Sequence, residues 1–352
     1  MDFLLNAWYF AAWSADIKQG TPFTRTLLNR PLVFIRPENG ALVAFDDRCP
    51  HRASPLSMGR LEGGRIVCGY HGLEFDFTGA CVRNPHPSGR IPPGARLRSY
   101  PIVERHSGVW IWFGERAADP SLIPDFSRLD DTGTSVTRRD YIVMDASYEL
   151  IVDNLLDCSH TSFLHDGILG NEPMIAAPTE ITQSGNTINV IRYARKVPPP
   201  GMFDMLFRQD GAPVDCWTDF RWDPPSCLLL DVGVTAPGRP KQEGTGLFGT
   251  HILTPETART THYHFAATLW NIHAKSQTAE MREKISDLRR FAFEKQDQPM
   301  IVAQQRIIDM TPPNQLERVM LETDLGVVRW RRIMEKLIAA ERHPPDRIGA
   351  EA

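Results

Sequence analysis

The sequence predicts an α+β protein in which an all-β first domain precedes a second domain with an antiparallel sheet flanked by helices. Residues 1–115 contain only short apolar runs separated by turn residues, whereas residues 187–270 contain five longer runs of β type. Helical patterns follow at 277–296, 299–309 and 326–341. Because strands and helices are grouped along the chain, a parallel doubly wound sheet is not expected. The length of 352 residues favours two domains over one small core.

The first domain is expected to begin with a buried strand in MDFLLNAWYFAAW, since Asp2 stands where a secretory signal would be basic. Further strands are expected in RPLVFIRP, ALVAFDD and SGVWIWFG, which are rich in β-branched and aromatic residues. The segment 116–134 is rich in Asp, Pro, Ser and Gly and predicts a linker. The predicted domains therefore span 1–115 and 135–352.

The second domain is expected to open with a helix inside YIVMDASYELIVDNLLDCSHTSFLH, residues 141–165. Ile151 and Leu155, with Val152 and Leu156, form an apolar stripe at four-residue repeats. Strands are expected next in TINVIRYARKV, CWTDFRW, SCLLLDVGVTA, GTHILTPE and RTTHYHFAATLW. The three predicted helices complete the domain.

The composition excludes several classes of function. Hydrophobic residues make up 42% and charged residues 23%, and the net charge of −4 gives no basic surface for nucleic acid or an anionic membrane. No apolar run approaches 18 residues, so no transmembrane helix is expected. The six cysteines are too few for a disulfide scaffold in a chain of this size. Reduced thiols in a cytoplasmic protein are expected.

Two mixed pairs of soft ligands stand close together in CPHRASPLSMGRLEGGRIVCGYHG. Cys49 precedes His51 by two residues, and Cys68 precedes His71 by three. A structural zinc site is one alternative, although zinc sites usually pair Cys with Cys and His with His. The interleaved order suits a binuclear iron cluster better, because each loop then supplies one ligand to each iron. This C-x-H…C-x-x-H pattern resembles the Rieske domain, which implies a 2Fe-2S cluster on these four residues.

A second group of metal-binding residues follows in DNLLDCSHTSFLH, residues 153–165. On a regular helix Asp153, Asp157 and His160 share one face, for which a solvated polar surface is the plain alternative. His165 lies five residues after His160, so the helix must loosen or end between them if both are to bind one ion. Two histidines and one carboxylate form the facial triad of non-haem Fe(II) oxygenases.

With the upstream motif, this segment resembles the N-x-x-D-x-x-H-x4-H signature of the Rieske non-haem iron oxygenases. Asn154, Asp157, His160 and His165 match that signature. The resemblance covers essentially the whole chain and implies a second, catalytic domain of helix-grip type. It implies that His160 and His165 bind a mononuclear Fe(II). It also implies that Asp157 is hydrogen-bonded to a cluster histidine, His71 of a neighbouring subunit, and links the two sites.

The third iron ligand is expected far downstream, in FEKQDQPMIVAQQ. This segment resembles the acidic helix of the family, and the glutamines at 304 and 305 set the register at Asp297. Glu294 is the alternative ligand. Pro299 departs from the family pattern, and since proline is tolerated in a first helical turn, Asp297 is expected at a helix break.

Within the family, the segments NAWYFAAW, CGYHGLEFDFTGACV and GTHILTPET look like the vanillate O-demethylase and dicamba monooxygenase group. That resemblance implies a homotrimer that uses O2 to demethylate, or to hydroxylate a methyl group of, a small aromatic acid, with His251 near the substrate carboxylate. No nucleotide or flavin motif is present, so a separate NAD(P)H-dependent flavin and iron–sulfur reductase, or a ferredoxin, must supply electrons. An aromatic ring cis-dihydroxylase and a non-catalytic electron carrier are the alternatives.

Overall fold

The computed structural model describes residues 3–38, 40–130 and 135–342. The described chain forms two compact units. One unit consists of Leu5–Ile123 and Thr254–Ala258, and the other is built mainly from Pro124–Leu253 and the residues from Arg259 onward. Part of the predicted linker, 131–134, lies outside the described residues, as do 1–2 and 343–352. The domain limits 1–115, 116–134 and 135–352 stay a prediction.

The first unit is all β, as predicted. The described part of this unit contains ten strands: β1 (Trp8–Trp13), β2 (Phe23–Leu27), β3 (Arg30–Ile35), β4 (Val43–Asp46), β5 (Arg60–Glu62), β6 (Arg65–Val67), β7 (Glu74–Asp76), β8 (Cys81–Arg83), β9 (Ile102–Arg105) and β10 (Gly108–Trp112). They form three small sheets, with strand orders β1-β10-β9, β2-β3-β4 and β5-β6-β7-β8.

Aromatic side chains hold the first strand of this unit in place. All six residues of β1 are buried, which confirms the prediction of a buried first strand. The ring of Trp8 lies 5.5 Å from that of Trp112, and the ring of Phe10 lies 5.1 Å from that of Trp110. Such pairs add to the gain from burying the apolar surface. The strand is therefore fixed against β10 by both its ladder and its rings.

The second unit is built on a seven-stranded sheet with the order β11-β17-β16-β15-β14-β13-β12. From β12 to β16, each strand pairs antiparallel with the next strand along the chain, and β11 pairs antiparallel with β17. These strands are β11 (Asp140–Met144), β12 (Thr179–Ser184), β13 (Thr187–Val197), β14 (Val214–Asp223), β15 (Cys227–Thr235), β16 (Thr245–Pro255) and β17 (Thr261–Trp270). The five longer β-type runs of the sequence correspond to β13–β17, as predicted.

Five α-helices accompany this sheet in the described part of the second unit, at α1 (Tyr148–Leu156), α2 (Gly201–Leu206), α3 (Ala279–Phe291), α4 (Gln298–Met310) and α5 (Leu325–Arg342). Residues of α2 and α3, including Phe203 and Ile285, are buried with side chains from the sheet such as Val214 and Leu247. Burial of this apolar surface fixes the helices on the sheet. The α+β class with an antiparallel sheet and helices is confirmed.

Helix α1 is shorter than its sequence pattern suggests. It begins after Ser147, whose Oγ accepts a hydrogen bond from the Glu149 N–H, and it ends at Leu156. The expectation that Asp153, Asp157 and His160 share one helix face is therefore wrong. The side chain of Asp153 instead accepts hydrogen bonds from Trp330 Nε1 (2.9 Å) and from Arg331 of α5.

A π-helical turn at Ala292–Asp297 connects α3 to α4 without a break. The sequence-based expectation of a helix break at Asp297 is wrong. Pro299 lies in the first turn of α4. The wider π-helical turn before it accommodates both the missing N–H and the bulk of the proline ring. The extra residue in that turn also changes the direction of the side chains that follow it.

Among the described residues, no helix combines the length and the apolar character needed to cross a membrane. The six cysteines all lie within the described ranges, and each is a buried free thiol. The prediction that these cysteines form no disulfide scaffold is confirmed.

Candidate metal centres and substrate cavity

The two loops that carry Cys49 and Cys68 have the same backbone hydrogen-bond pattern. The N–H of Cys49 donates to the carbonyl of Ser54, and the N–H of Ala53 donates back to Cys49. In the second loop the N–H of Cys68 donates to Leu73, and that of Gly72 donates back to Cys68. Ala53 and Gly72 occupy equivalent positions and both have a positive φ, of 55° and 71°. The two loops therefore present their side chains in matched geometry.

The four predicted cluster ligands lie together at the end of these loops. The rings of His51 and His71 are 4.4 Å apart, and Ser54 Oγ lies 3.3 Å from Cys68 Sγ. Cys49 and Cys68 are both 1% exposed, whereas His51 is exposed and His71 half-buried. Gly69 is required here, since a Cβ at that position would lie 2.8 Å from the carbonyl oxygen of Met58. Thiols inside and imidazoles outside suit a cluster with a buried sulfur-bound iron and a histidine-bound iron near the surface.

A second candidate metal centre lies at His160, His165 and Asp297. One ligand atom from each residue can be chosen so that all three lie within 4.8 Å of one another. Asp297 Oδ1 lies 3.1 Å from His165 Nε2 and 3.6 Å from His160 Nε2. His160 is in a short 3₁₀ turn after α1, His165 follows that turn, and Asp297 ends the π-helical turn. The structure thus brings together three residues that the sequence analysis had named.

Hydrogen bonds fix the orientation of both imidazoles. His165 Nδ1 is 2.9 Å from Gln296 Oε1, and His160 Nδ1 bonds to the carbonyl oxygen of Asp157. In the tautomers in which each Nδ1–H donates to its acceptor, the Nε2 lone pairs are the atoms that face Asp297 and could bind a metal ion. Asn154 Nδ2 donates to Asp297 Oδ1 over 3.2 Å and holds the carboxylate as well. Two neutral imidazole nitrogens and one carboxylate oxygen are the donor set of a facial triad.

Burial and the neighbouring carboxylate act in opposite directions on the pKa values of the two histidines. Burial lowers the pKa of His160 and outweighs the attraction of Asp297. Burial also acts to lower the pKa of His165, but the hydrogen bond and charge of Asp297 raise it overall. A divalent cation at this position would displace the proton shared between His165 and the carboxylate.

Two further predicted residues have other contacts. Asp157 Oδ1 accepts a hydrogen bond from the N–H of Ser159 at 3.0 Å, directly before His160. Glu294, the alternative ligand, bonds instead to Arg290 at 2.8 Å and to Lys295 at 2.9 Å. Glu294 is therefore engaged at the helix surface and is not one of the three grouped donors.

An apolar cavity opens next to the three donors. Its walls come from α1, α2, the central strands and the π-helical turn, and its polar atoms include Asn154, His160, His165 and Asp297. The remaining lining is largely aliphatic and aromatic, with Met202, Phe220, Leu230, Val232, Leu247 and Phe293 among its residues. A mostly apolar cavity with a few convergent polar groups is typical of a site for a small organic ligand.

His251, the predicted substrate contact, lines the same cavity from β16. It is 1% exposed, its Nδ1 lies 2.5 Å from the hydroxyl of Tyr263, and its Nε2 has no hydrogen-bond partner among the described residues. Burial, together with the charge of Arg289, lowers the pKa of His251 well below its ordinary value. The imidazole is therefore neutral at physiological pH.

The sequence analysis missed three polar residues of this region: Gln296, Tyr263 and Arg289. Gln296 directly precedes the predicted ligand, and such a neighbour is a reasonable candidate for a supporting hydrogen bond. Arg289 follows Ile285 by four residues on the apolar face of α3, where a cation is unusual. That position is the available signal for Arg289, whereas nothing local distinguishes Tyr263.

Comparisons with known proteins agree with this architecture. Residues 7–101 match the family described as the Rieske 2Fe-2S domain, and residues 144–340 match the vanillate O-demethylase oxygenase C-terminal domain. The dicamba O-demethylase oxygenase component of Stenotrophomonas maltophilia is 36% identical, over 96% of this chain and 98% of that protein. The toluene-4-sulfonate monooxygenase iron–sulfur subunit of Comamonas testosteroni is 35% identical, over 96% of this chain and 98% of that protein.

A solved structure is also similar along its whole length. Dicamba monooxygenase bound to 3,6-dichlorosalicylic acid superposes with a TM-score of 0.90 at 35% identity, covering 97% of this chain and 100% of that one. A cluster domain followed by a facial-triad domain defines the Rieske non-haem iron oxygenases as the class. The chain belongs to the family that contains the dicamba and vanillate O-demethylase oxygenase components.

Membership of this family establishes the chain as an oxygenase component with a Rieske 2Fe-2S cluster and a mononuclear non-haem iron. It is an oxidoreductase of the monooxygenase type, and it receives its electrons from a separate component of a multicomponent system. The electron-carrier and structural-zinc alternatives are thereby set aside. The donor sets described above fit both groups, since each supplies the atom types that its metal requires.

Proposed function

We propose that this chain removes a methyl group from a methoxylated aromatic acid, with hydroxylation of a ring-bound methyl group as a related reaction. The observation that carries the proposal is the convergence of His160, His165 and Asp297 at one end of an apolar cavity. One relative acts on toluene-4-sulfonate, and the related solved structure holds 3,6-dichlorosalicylic acid. Both of those compounds are aromatic acids.

The mononuclear iron, when bound, supplies the site at which O2 is activated for insertion into a substrate C–H bond. We assign the iron to His160, His165 and Asp297, and the cluster to Cys49, His51, Cys68 and His71. Hydroxylation of a methoxy group gives a hemiacetal, which breaks down to a phenol and formaldehyde.

The residues around the proposed iron site have separate tasks. Gln296 and the Asp157 carbonyl hold the Nδ1 protons and so keep each Nε2 available. Asn154 donates a hydrogen bond to the Asp297 carboxylate and so fixes the orientation in which this carboxylate would bind the iron. The apolar cavity wall excludes water and positions the substrate methyl group for reaction. His251 contacts the acid group of the substrate in this proposal.

The assembly that this function requires is also a proposal. We infer a homotrimer in which Asp157 accepts a hydrogen bond from His71 of a neighbouring copy, so that electrons pass between copies. An NAD(P)H-dependent reductase that contains flavin and an iron–sulfur centre, or a ferredoxin, is the proposed donor. A cytoplasmic location is consistent with six reduced cysteines.

Product analysis with a surrogate reductase tests the reaction. The iron-loaded protein is assayed with methoxybenzoates, vanillate and a methylated arenesulfonate, and formaldehyde is measured for each. We expect formaldehyde in a 1:1 ratio with the phenol, and roughly three irons per chain in the protein. A cis-diol product would support the ring dihydroxylase alternative and contradict demethylation. Turnover of a methylated arenesulfonate to an alcohol without formaldehyde would assign methyl hydroxylation instead.

A further inference from the structure

Arg289 is a buried cation in the cavity wall that the proposed reaction leaves unexplained. It lies in α3, is 4% exposed, and its Nη2 has no hydrogen-bond partner in the described part of the chain. Burial lowers its pKa to about 10, so the guanidinium still carries its charge at neutral pH. A buried charge without a partner is costly, and proteins keep such a charge mainly where a bound ligand of opposite charge pairs with it.

Within the described ranges, no acid forms a salt bridge with this cation. Asp140, whose charge acts on Arg289, is bonded instead to Arg138 at 2.9 Å and to Arg290 at 3.2 Å. The contacts of the guanidinium are aromatic, with its carbon 5.7 Å from the ring centre of Phe265 and 5.5 Å from that of Phe293. Cation–π contacts hold the group in place but leave its N–H donors available.

His251 offers a second unpartnered nitrogen beside this cation. The pKa of Tyr263 is raised well above its ordinary value, so its hydroxyl keeps its proton, and its oxygen lies 2.5 Å from His251 Nδ1. In the tautomer in which this hydroxyl donates a hydrogen bond to Nδ1, the proton of the neutral imidazole is on Nε2, which is then a hydrogen-bond donor. Two buried donors, one of them permanently charged, thus face the same cavity.

Gly249 lets the two donors lie close to each other. A Cβ at position 249 would lie 3.0 Å from His251 Nε2 and 3.4 Å from Arg289 Nη2. Leu230 Cβ would also lie 3.3 Å from it, so both nitrogen atoms approach the Gly249 backbone closely and a side chain at this position would displace them. Two converging N–H donors match the two oxygens of a carboxylate or of a sulfonate.

We propose that Arg289, with His251 Nε2–H, binds the anionic group of the substrate, and that Gly249 allows the two donors to lie close enough to act together. This proposal rests on the function proposed above and defines the substrate class as an aromatic carboxylate or sulfonate. Arg289 is the residue that distinguishes acids from neutral analogues, because a neutral ligand leaves its buried charge unpaired.

Binding of matched ligands to the iron-loaded protein tests this assignment. Dissociation constants are measured by calorimetry for benzoate, benzenesulfonate and the neutral analogue benzamide. In the wild type we expect at least one anion to bind roughly tenfold or more tightly than benzamide. The stronger of the two anions identifies whether the site favours a carboxylate or a sulfonate.

Three variants assign the preference to particular atoms. Arg289→Met is expected to weaken anion binding on the order of 100-fold and to leave benzamide binding within about threefold. Gly249→Ala is expected to weaken anion binding while Arg289 remains, because the methyl group would displace both donor atoms. Lys284→Met removes an exposed cation from the same helix and should change neither constant.

Stability provides a separate check on Arg289. If the residue serves a ligand, the melting temperature of the ligand-free Arg289→Met protein should equal or exceed that of the wild type. If Arg289→Met fails to fold, Gly249→Ala carries the binding test. Equal binding of benzamide and both anions, no saturable anion binding up to about 10 mM, or unchanged anion binding in both variants would overturn the proposal.

The outcome is distinguishable from failure of the proposed reaction. Anion preference that depends on Arg289, without formaldehyde from any methoxylated acid, would refute demethylation and leave the anion site standing. Formaldehyde release with no preference for acids over amides would support demethylation and refute the anion site.

Discussion

Asp297 and Glu294 are three residues apart, yet their surroundings are opposite. Asp297 is 3% exposed and contacts both histidines of the candidate iron site, whereas Glu294 bonds to Arg290 and Lys295 at the surface. On an ordinary helix, residues three apart lie on nearly the same face. The π-helical turn at Ala292–Asp297 contributes an additional residue and separates the two directions.

The first prediction concerns this pair of acids. Asp297→Asn should reduce the iron content by about one atom per chain and reduce turnover by roughly 100-fold or more, because an amide is a weak ligand for Fe(II). Glu294→Gln is the matched control and should keep both values. Iron analysis and the visible spectrum of the cluster measure the effect. Loss of iron in Glu294→Gln alone would contradict the assignment.

At the scale of elements, Arg192 of β13 connects the sheet to the segment that carries the two histidines. Its buried guanidinium donates to the carbonyl oxygens of Cys158, Met174, Ile175 and Ala177 at 3.0 to 3.2 Å. These carbonyls flank His160 and His165 on both sides. One side chain thereby supplies several of the hydrogen bonds that fix a segment with little regular structure.

The second prediction follows from these contacts. Arg192→Met should lower the free energy of unfolding by about 3 kcal/mol or more, since several buried carbonyls lose their donor. The same variant should also bind mononuclear iron more weakly. Arg195→Met, on the exposed part of the same strand, should stay within about 0.5 kcal/mol. Denaturant unfolding and iron titration check both values, and equal effects of the two variants would contradict the role given to Arg192.

The third prediction concerns the four-stranded sheet of the first unit. Hydrogen bonds from Arg83 and Arg65, on the strands either side of β7, lower the pKa of Glu74 below its ordinary value of 4.5. A carboxyl group whose pKa is lowered by folding stabilises the fold at pH values above its pKa in the unfolded chain. That contribution disappears as the pH falls through the pKa of the group in the folded protein. Wild-type stability should therefore fall as the pH drops below the ordinary pKa of 4.5 and through the lower pKa of the folded state.

Glu74→Gln should remove this pH-dependent contribution to the stability of the fold. The variant is expected to be less stable than the wild type at pH 6 and to lose less of its melting temperature on acidification. Glu62→Gln, at an exposed ion pair with Arg60, serves as the control. Parallel melting-temperature curves for wild type and Glu74→Gln across this range would contradict the prediction.

At the scale of the whole molecule, each compact unit supplies all the proposed ligands of one metal site. The four cluster ligands lie in the first unit, and the three mononuclear ligands lie in the second. The proposed transfer of electrons from His71 to Asp157 of a neighbouring copy makes the oligomer part of the catalytic cycle. Closed cyclic symmetry would give every copy one donor and one acceptor contact.

The fourth prediction tests that arrangement. Light scattering should give a mass three times the 39.8 kDa of the chain. His71→Ala and His160→Ala should each be inactive alone, because one loses the cluster function and the other the mononuclear iron. Co-expressed in equal amounts, they should recover about a quarter of wild-type turnover, since random mixing leaves that share of contacts intact. A monomer, or no recovery on mixing, would contradict transfer between copies.

The local sequence determined much of this protein. Cys49, His51, Cys68 and His71 stand at fixed spacings in two short loops, and His160 and His165 are five residues apart, so motifs of local spacing reveal them. The strands β13–β17 and the helices α3 and α5 follow from periodicity and turn residues, which are also local signals. These features depend on neighbours along the chain, and sequence patterns report such neighbours well.

Only the tertiary structure decided the rest. It ended α1 at Leu156, and it formed a π-helical turn where a break was expected. It also placed Gln296 on His165 and brought Arg289 next to His251 across the cavity. These contacts join residues about 40 to 130 positions apart, and each depends on how helices lie on a sheet. Because packing of distant surfaces sets such contacts, no spacing within the sequence encodes them.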